Sequence, residues 1–421
     1  RLLCQAPTGI GKSMSVLFPA LKSMGNESVG PIFYLTARGT TRTAAENALA
    51  ILRDTEPELH LRSVTLTAKD KICLCETREC TPEACPYANG YYARIKGALW
   101  DVLDVPCLTA ETLQEYAERH TVCPFELGLD SSLWSDVIIG DYNYLFDPVV
   151  HLVRFFESAG DYIFLVDEAH NLPGRAREMH SAALTKTSFY EAKKLLGKGK
   201  SSLKNALTKV NDVFIEWRHR AEEETAARDG RFGKTFFLKE RSEEFDHLLN
   251  RLCEPLEAWL DDHREPDETH TALLQLYFDV RAWLRVADTF DDHFVLQITA
   301  SGSEVRAAQL CLDPSAFLAD SFALGRAAVL FSATLAPASY YKDLCGVPEA
   351  RAVALRSPFP AGNQGLFCIG NVSTRYKDRD ASLAIVEESL ATMVRARCGN
   401  YLAFFPSYAY LRQVHEDFTA R

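Results

Sequence analysis

The chain has 421 residues, enough for several buried cores, and its 47% apolar and 24% charged content is ordinary for a water-soluble globular protein. No stretch approaches the roughly 18 uninterrupted apolar residues of a membrane-spanning helix, and no signal peptide is visible. A net charge of −11 argues against non-specific coating of nucleic acid but leaves room for a local basic track.

The first element is the run RLLCQAPTGIGKSMS at Arg1–Ser15. A short apolar strand, Leu2-Leu3-Cys4, enters a tight loop, Ala6–Ser13, and then an apolar helix. Backbone N–H groups of such a loop, backed by a helix N-terminus, cradle phosphates. Thr8, Gly9, Gly11, Lys12 and Ser13 are the candidate nucleotide ligands. Gly9 and Gly11 supply backbone angles closed to other residues, Lys12 reaches the β/γ-phosphates, and Ser13 offers a hydroxyl to Mg²⁺. Ala6 stands where the strict pattern has Gly. The chain opens inside this strand, so upstream residues are expected to be missing and the start carries no targeting information.

Short apolar runs recur downstream at Ile32–Leu35, Val64–Leu66, Val137–Ile139, Ile163–Val166 and Ala328–Phe331. They lack alternation, as strands buried on both faces of a parallel sheet do. Helical stretches such as Thr43–Leu52 supply crossovers, and a doubly wound α/β sheet follows. The fourth run delivers Asp167-Glu168-Ala169-His170. At a strand's C-terminal edge Asp167 can hold Mg²⁺, while Glu168 can orient and deprotonate an attacking water. Lys12, Asp167 and Glu168 are therefore the catalytic candidates of an NTPase core.

The intervals from Lys12 to Asp167 and from His170 to Ser332 exceed what such a core needs, and each predicts an inserted domain. The first insert, about 69–127, is rich in cysteine: Cys73, Cys75, Cys80, Cys85 and Cys123, with Cys107 read as an ordinary buried thiol. A phosphate-loop enzyme points to a reducing compartment, where ligation outcompetes disulfides. Cys73, Cys80, Cys85 and Cys123, with Cys75 as a spare or substitute, could build a tetrahedral zinc site or a cysteine-ligated iron–sulfur cluster, or stand unligated; the lack of CxxC knuckles weakens zinc. The second insert reads as mostly helical, with stripes at Leu203–Trp217 and Phe245–Leu260 and a loop tip at 221–234. Phe294–Thr299 and Val305–Leu312 predict a hairpin turning at Ser301-Gly302-Ser303. Lys186–Lys209 carries seven lysines against one acid, either a solvated face or a strand-contacting track.

These motifs, in this order, resemble the XPD/DinG-like family of superfamily 2 DNA helicases. The resemblance rests on APTGIGKS (6–13), YLTAR (34–38), the cysteine block closed by CPFEL (123–127), YNYLFDP (142–148), VDEAHNL (166–172), FSATL (331–335) and YLAFFPSY (401–408). It implies a RecA-like motor lobe over 1–68, 128–178 and 293–345, an iron–sulfur insert at 69–127, a helical arch at 179–292 and the start of a second lobe at 346–421. By the same resemblance the four cysteines hold a [4Fe–4S] cluster, and His170, Ser332 and Thr334 couple ATP hydrolysis to lobe movement. Arg38, Tyr142 and Tyr144 are then the expected DNA contacts. The implied activity is ATP-dependent 5′→3′ translocation on single-stranded or forked DNA with duplex unwinding, in repair or replication. A monomer in the bacterial cytosol is expected, working beside repair or replication proteins. A translocase that strips strands without unwinding and a redox-sensing DNA-binding module are alternatives; the hydrolytic carboxylates disfavour the second. The adenine-reading segment and the arginine fingers implied by the resemblance are absent between Arg1 and Arg421, so a weakly active fragment is expected.

Overall fold

The computed structural model describes residues 1–26, 29–37, 39–56, 58–198, 201–227, 234–265, 267–373 and 375–420. It divides into two compact units, Arg1–Pro358 and Phe359–Arg421. Strands run in the order β1 (Leu2–Gln5), β2 (Ile32–Thr36), β3 (Ser63–Thr65), β4 (Cys107–Leu108), β5 (Val137–Asp141) and β6 (Gly160–Asp167). They continue with β7 (Ala182–Thr185), β8 (Thr235–Leu238), β9 (Phe294–Ser301), β10 (Glu304–Cys311), β11 (Gly325–Ser332) and β12 (Arg351–Ala354).

Eight of these form a parallel sheet in the order β12-β1-β11-β6-β2-β5-β3-β4. Its central strands are apolar on both sides because both sides are covered. Ile32 and Tyr34 of β2 pack with Leu17, Leu49 and Ile139 on one face. Phe33 and Leu35 pack with Phe155, Phe164 and Val166 on the other. Residues 12–26 and 39–55 are the expected crossover helices. The sheet therefore agrees with the doubly wound RecA-like reading, and every apolar run singled out above lies in or overlaps one of its strands.

The first insert is not a free-standing module. Its helices Tyr91–Val102, Ala110–His120 and Pro124–Ser131 place Ile95, Ala98, Leu113, Ala117 and Leu127 in the same core as Phe33 and Phe164. Cys107, half-buried, sits in β4, the edge strand of the main sheet. The insert's turn-rich part is confined to residues 73–90.

The second insert differs from expectation in its sheet and in its extent. The helices Ser202–Ala227 and Glu243–Asp262 carry the predicted stripes, but the 294–312 hairpin does not return to the motor sheet. It joins β7 and β8 in a separate antiparallel sheet, β7-β10-β9-β8, that packs on the helices. The insert is α/β, and its sheet extends past residue 292. The loop tip expected at 221–234 is helical to Ala227, and 228–233 lie outside the described residues. The parallel-sheet lobe likewise extends past 345, because β12 pairs with β1. The second unit contains the helices Arg379–Ala396 and Tyr408–Ala420, with Phe405 edge-on to Tyr410.

Candidate nucleotide-binding site

Parallel pairing brings four strand ends together. Gln5 of β1 lies beside Ser332 of β11, Phe331 beside Asp167 of β6, and Leu35 of β2 beside Val166. The phosphate loop leaves β1 at this edge, where the Ala6 N–H donates to the Ser332 carbonyl at 2.8 Å. Gly9 and Gly11 adopt φ of 87° and 72°, the left-handed region that a Cβ disfavours. Lys12 and Ser13 follow as the first residues of a 15-residue helix. Thr8 and Gly9 are exposed at the loop's apex.

One buried hydroxyl organises the metal-binding edge. Tyr34 Oη donates to Asp167 Oδ2 at 2.6 Å and lies 3.1 Å from Ser13 Oγ. Ser13 and Asp167 are thus held on either side of a single phenol. Burial raises the Asp167 carboxyl above its usual range, partly offset by the bond from Tyr34 and one from the Glu168 N–H. Burial, then the Asp167 charge, raises the Tyr34 phenol, which stays protonated as a donor. Tyr34 opens the YLTAR run, but nothing in the sequence marks its hydroxyl: in the apolar run it reads as another core residue.

Glu168 is fixed from three directions. Its backbone sits at φ 50°, a costly conformation for a non-glycine residue that aims the carboxylate across the strand ends. Lys12 Nζ lies 3.6 Å from Oε1. Ser332 Oγ donates to Oε2 at 3.2 Å, and His170 Nδ1 stands 2.7 Å from Ser332 Oγ and 3.3 Å from Glu168 Oε2. Lys12 Nζ is buried and, among the described residues, has the Glu168 carboxylate beside it but no hydrogen-bond partner, so its donors are to spare. That donor set fits a nucleotide triphosphate with Mg²⁺ at Ser13 and Asp167.

Structure and expectation part at three positions. Tyr142 is fully buried and Tyr144 nearly so. The Tyr142 hydroxyl donates to the Asp167 carbonyl, and the Tyr144 ring lies against Gly140, where a Cβ would approach within 2.7 Å of it. Burial pushes the Tyr144 phenol up to about 12. Neither ring has a free face for a base, so both are core residues that brace β5 and β6. Thr334 reaches the cluster only through its N–H, 3.4 Å from Ser332 Oγ. Arg38 lies outside the described residues.

The cysteines form a second locus. Cys73, Cys80, Cys85 and Cys123 line one cavity of about 210 Å³ together with Lys69 and Tyr91. Cys123 caps the Pro124–Ser131 helix, and burial raises its thiol despite N–H groups of Phe125 and Glu126 nearby. Cys75 Sγ lies 3.9 Å from Cys85 Sγ. Among the described residues no three Cys, His, Asp or Glu side chains converge closely enough for one metal ion.

Fold and site together define a RecA-like phosphate-loop lobe interrupted by two inserts. A DEAD_2 family model matches residues 55–189. The XPD subunit of general transcription and DNA repair factor IIH from Schizosaccharomyces pombe is 25% identical over 378 residues, 73% of this chain and 48% of that protein. A regulator of telomere elongation helicase 1 homologue from Anopheles gambiae is 27% identical over 157 residues, 34% of this chain and 16% of that one. The chain thus spans half or less of the length of these relatives. Among solved structures, an XPD helicase covers 99% of this chain at TM-score 0.58 and 17% identity, with 70% of that chain matched. Xpd4 of S. tokodaii covers 100% at TM-score 0.57 and 14% identity, again with 70% of its own chain matched. The chain is thus similar in sequence and in fold to XPD-type helicases.

Proposed function

We propose that this chain carries the ATP-hydrolysing lobe of a DNA helicase that moves 5′→3′ on single-stranded DNA and separates duplex. The observation that carries the reading is the pair of opposed clamps at the strand ends: Tyr34 between Ser13 and Asp167, and Glu168 between Lys12 and Ser332–His170. The loop N–H groups and Lys12 bind the phosphates, and Mg²⁺ held by Ser13 and Asp167 would neutralise charge on the β- and γ-phosphate oxygens. Lys12, drawn to the γ-phosphate, releases Glu168 Oε1 to orient the attacking water and accept its proton. His170 and Ser332 touch that same carboxylate, so its change of state passes to β11 and the FSATL turn. This is the coupling path assigned to them, with Thr334 contributing backbone only.

Glu168→Gln keeps the shape and removes the base. The expected result is ATP binding retained and DNA-stimulated turnover reduced by about 10²–10⁴-fold. Unchanged turnover would sink the assignment of Glu168.

A [4Fe–4S] cluster belongs to the same reading. The four thiols line one cavity, where each could bind one iron of a cluster. When bound, it would cross-link the 73–90 turns to the head of the Pro124–Ser131 helix. Anaerobic purification should yield roughly four iron and four sulfide per chain, lost in Cys85→Ser. A colourless protein containing zinc would reject the cluster and leave the nucleotide site standing.

A further inference from the structure

The helix Lys186–Leu195 has two unlike faces. Phe189 and Ala192 are buried in the second insert's core with Leu203 and Leu207. The opposite arc presents Tyr190 and Lys194, both exposed at i and i+4, with Lys193 half-buried beside them. Tyr190 is 59% exposed. Lys198 is exposed just beyond the helix end.

This stripe is basic on a chain whose net charge is −11. Lys193, Lys194 and Lys198 have no carboxylate within ion-pair distance among the described residues. Of the nearby acids, Glu304 accepts the Thr187 N–H and Glu191 stands at the exposed edge of the arc. Lysines in a last helical turn complement the helix dipole, which explains Lys193 and Lys194. Lys186 in the first turn donates its Nζ to the Ser303 carbonyl at 3.1 Å, and neither arrangement explains a tyrosine held out in solvent beside the charges. An acidic protein surface would satisfy the lysines and leave Tyr190 without a purpose. A nucleic-acid strand uses both, since phosphates pair with the ammonium groups and a base stacks on the ring.

We propose that this helix face is a single-stranded DNA contact on the second insert, with Tyr190 stacking on a base and Lys193 and Lys194 on the backbone. It rests on the reading of the chain as a DNA-handling motor but uses none of the ATP-site residues.

The test is fluorescence anisotropy of the full chain with a labelled oligo-dT, without nucleotide, over a range of salt. Lys193→Glu combined with Lys194→Glu should weaken binding at least tenfold and reduce the salt slope by about 1.4, at roughly 0.7 per lost phosphate contact. Tyr190→Ala should weaken it about fivefold or more, while Tyr190→Phe should bind like the parent because the ring is kept. A photoreactive iodouridine oligomer should cross-link to the peptide containing Tyr190. Unchanged affinity and salt slope in the lysine variant, or cross-links confined to other peptides, would overturn this site while leaving the motor reading intact. No oligonucleotide binding by the parent chain would sink both.

Discussion

Both inserts interrupt the same lobe, yet they differ in whose core they use. The first contributes Ile95, Leu113 and Leu127 to the cluster that contains Phe33 and Phe164 of the motor sheet, and Gly128 packs on Leu66 and Leu113. The second closes a core of its own around Phe214, Phe245, Leu249 and Trp283, backed by its own antiparallel sheet. An insert that borrows the host's core transmits its state to the host by packing. One that owns its core can move or unfold as a unit. The cysteine-bearing insert thus shares its packing with the parallel-sheet lobe, and the lysine-bearing insert packs chiefly on itself.

The largest expected effects come from breaking each core. Leu127→Ala, fully buried in the shared cluster, should cost about 2–5 kcal/mol, and the loss should appear in the motor lobe itself. Amide exchange in β2 and β6 should rise, and nucleotide binding should weaken. Trp283→Ala should cost about 3–5 kcal/mol and strip Asp246 Oδ1 of its 2.8 Å bond from Nε1–H, but the exchange increase should stop at the second insert. Equal spread of both effects across the chain would erase the distinction.

A stabilising change should sharpen it. Gln309 of β10 is fully buried on the core face between Ala182 and Leu296, and both amide atoms lack a hydrogen-bond partner. Gln309→Met removes two unsatisfied polar atoms while keeping length. The second insert should gain about 1–3 kcal/mol, read as a later transition for that insert in thermal unfolding with no change in the motor lobe.

The sequence carried the motor sheet well because a parallel strand covered on both faces must be a continuous apolar run. β1, β2, β3, β5, β6 and β11 all announce themselves that way. β4 has two residues and β12 is exposed throughout, so neither leaves a pattern. The 294–312 hairpin was legible as local pairing, but its true partner β7 is four residues long and over a hundred positions upstream, and such pairing has no local signature. Within the site, Lys12, Ser13, Asp167 and Glu168 were legible because phosphate chemistry fixes residue type and spacing. Tyr34 was not, since its hydroxyl matters only once β2 is seen beside β6. Tyr142 and Tyr144 misled for the converse reason: an aromatic near a functional strand looks the same in sequence whether its ring faces a ligand or the core.

The smallest effect concerns Asp246, and its sign is definite. Burial raises its carboxyl above the usual value, opposed by the Trp283 N–H and by Arg241, whose Nε is 4.0 Å from Oδ2, and reinforced by Asp288 and Glu243. A carboxyl with a folded pKa above its unfolded one holds its proton more tightly in the folded state. Stability is therefore greatest below the unfolded value of about 3.9 and declines as pH rises through the folded pKa, no faster than about 1.4 kcal/mol per pH unit. Asp246→Asn can still accept from Trp283 and cannot ionise. The second insert's unfolding should consequently lose this decline, while the motor lobe, which owns none of these groups, keeps its pH profile. A changed motor profile in Asp246→Asn would show that the two cores are coupled after all.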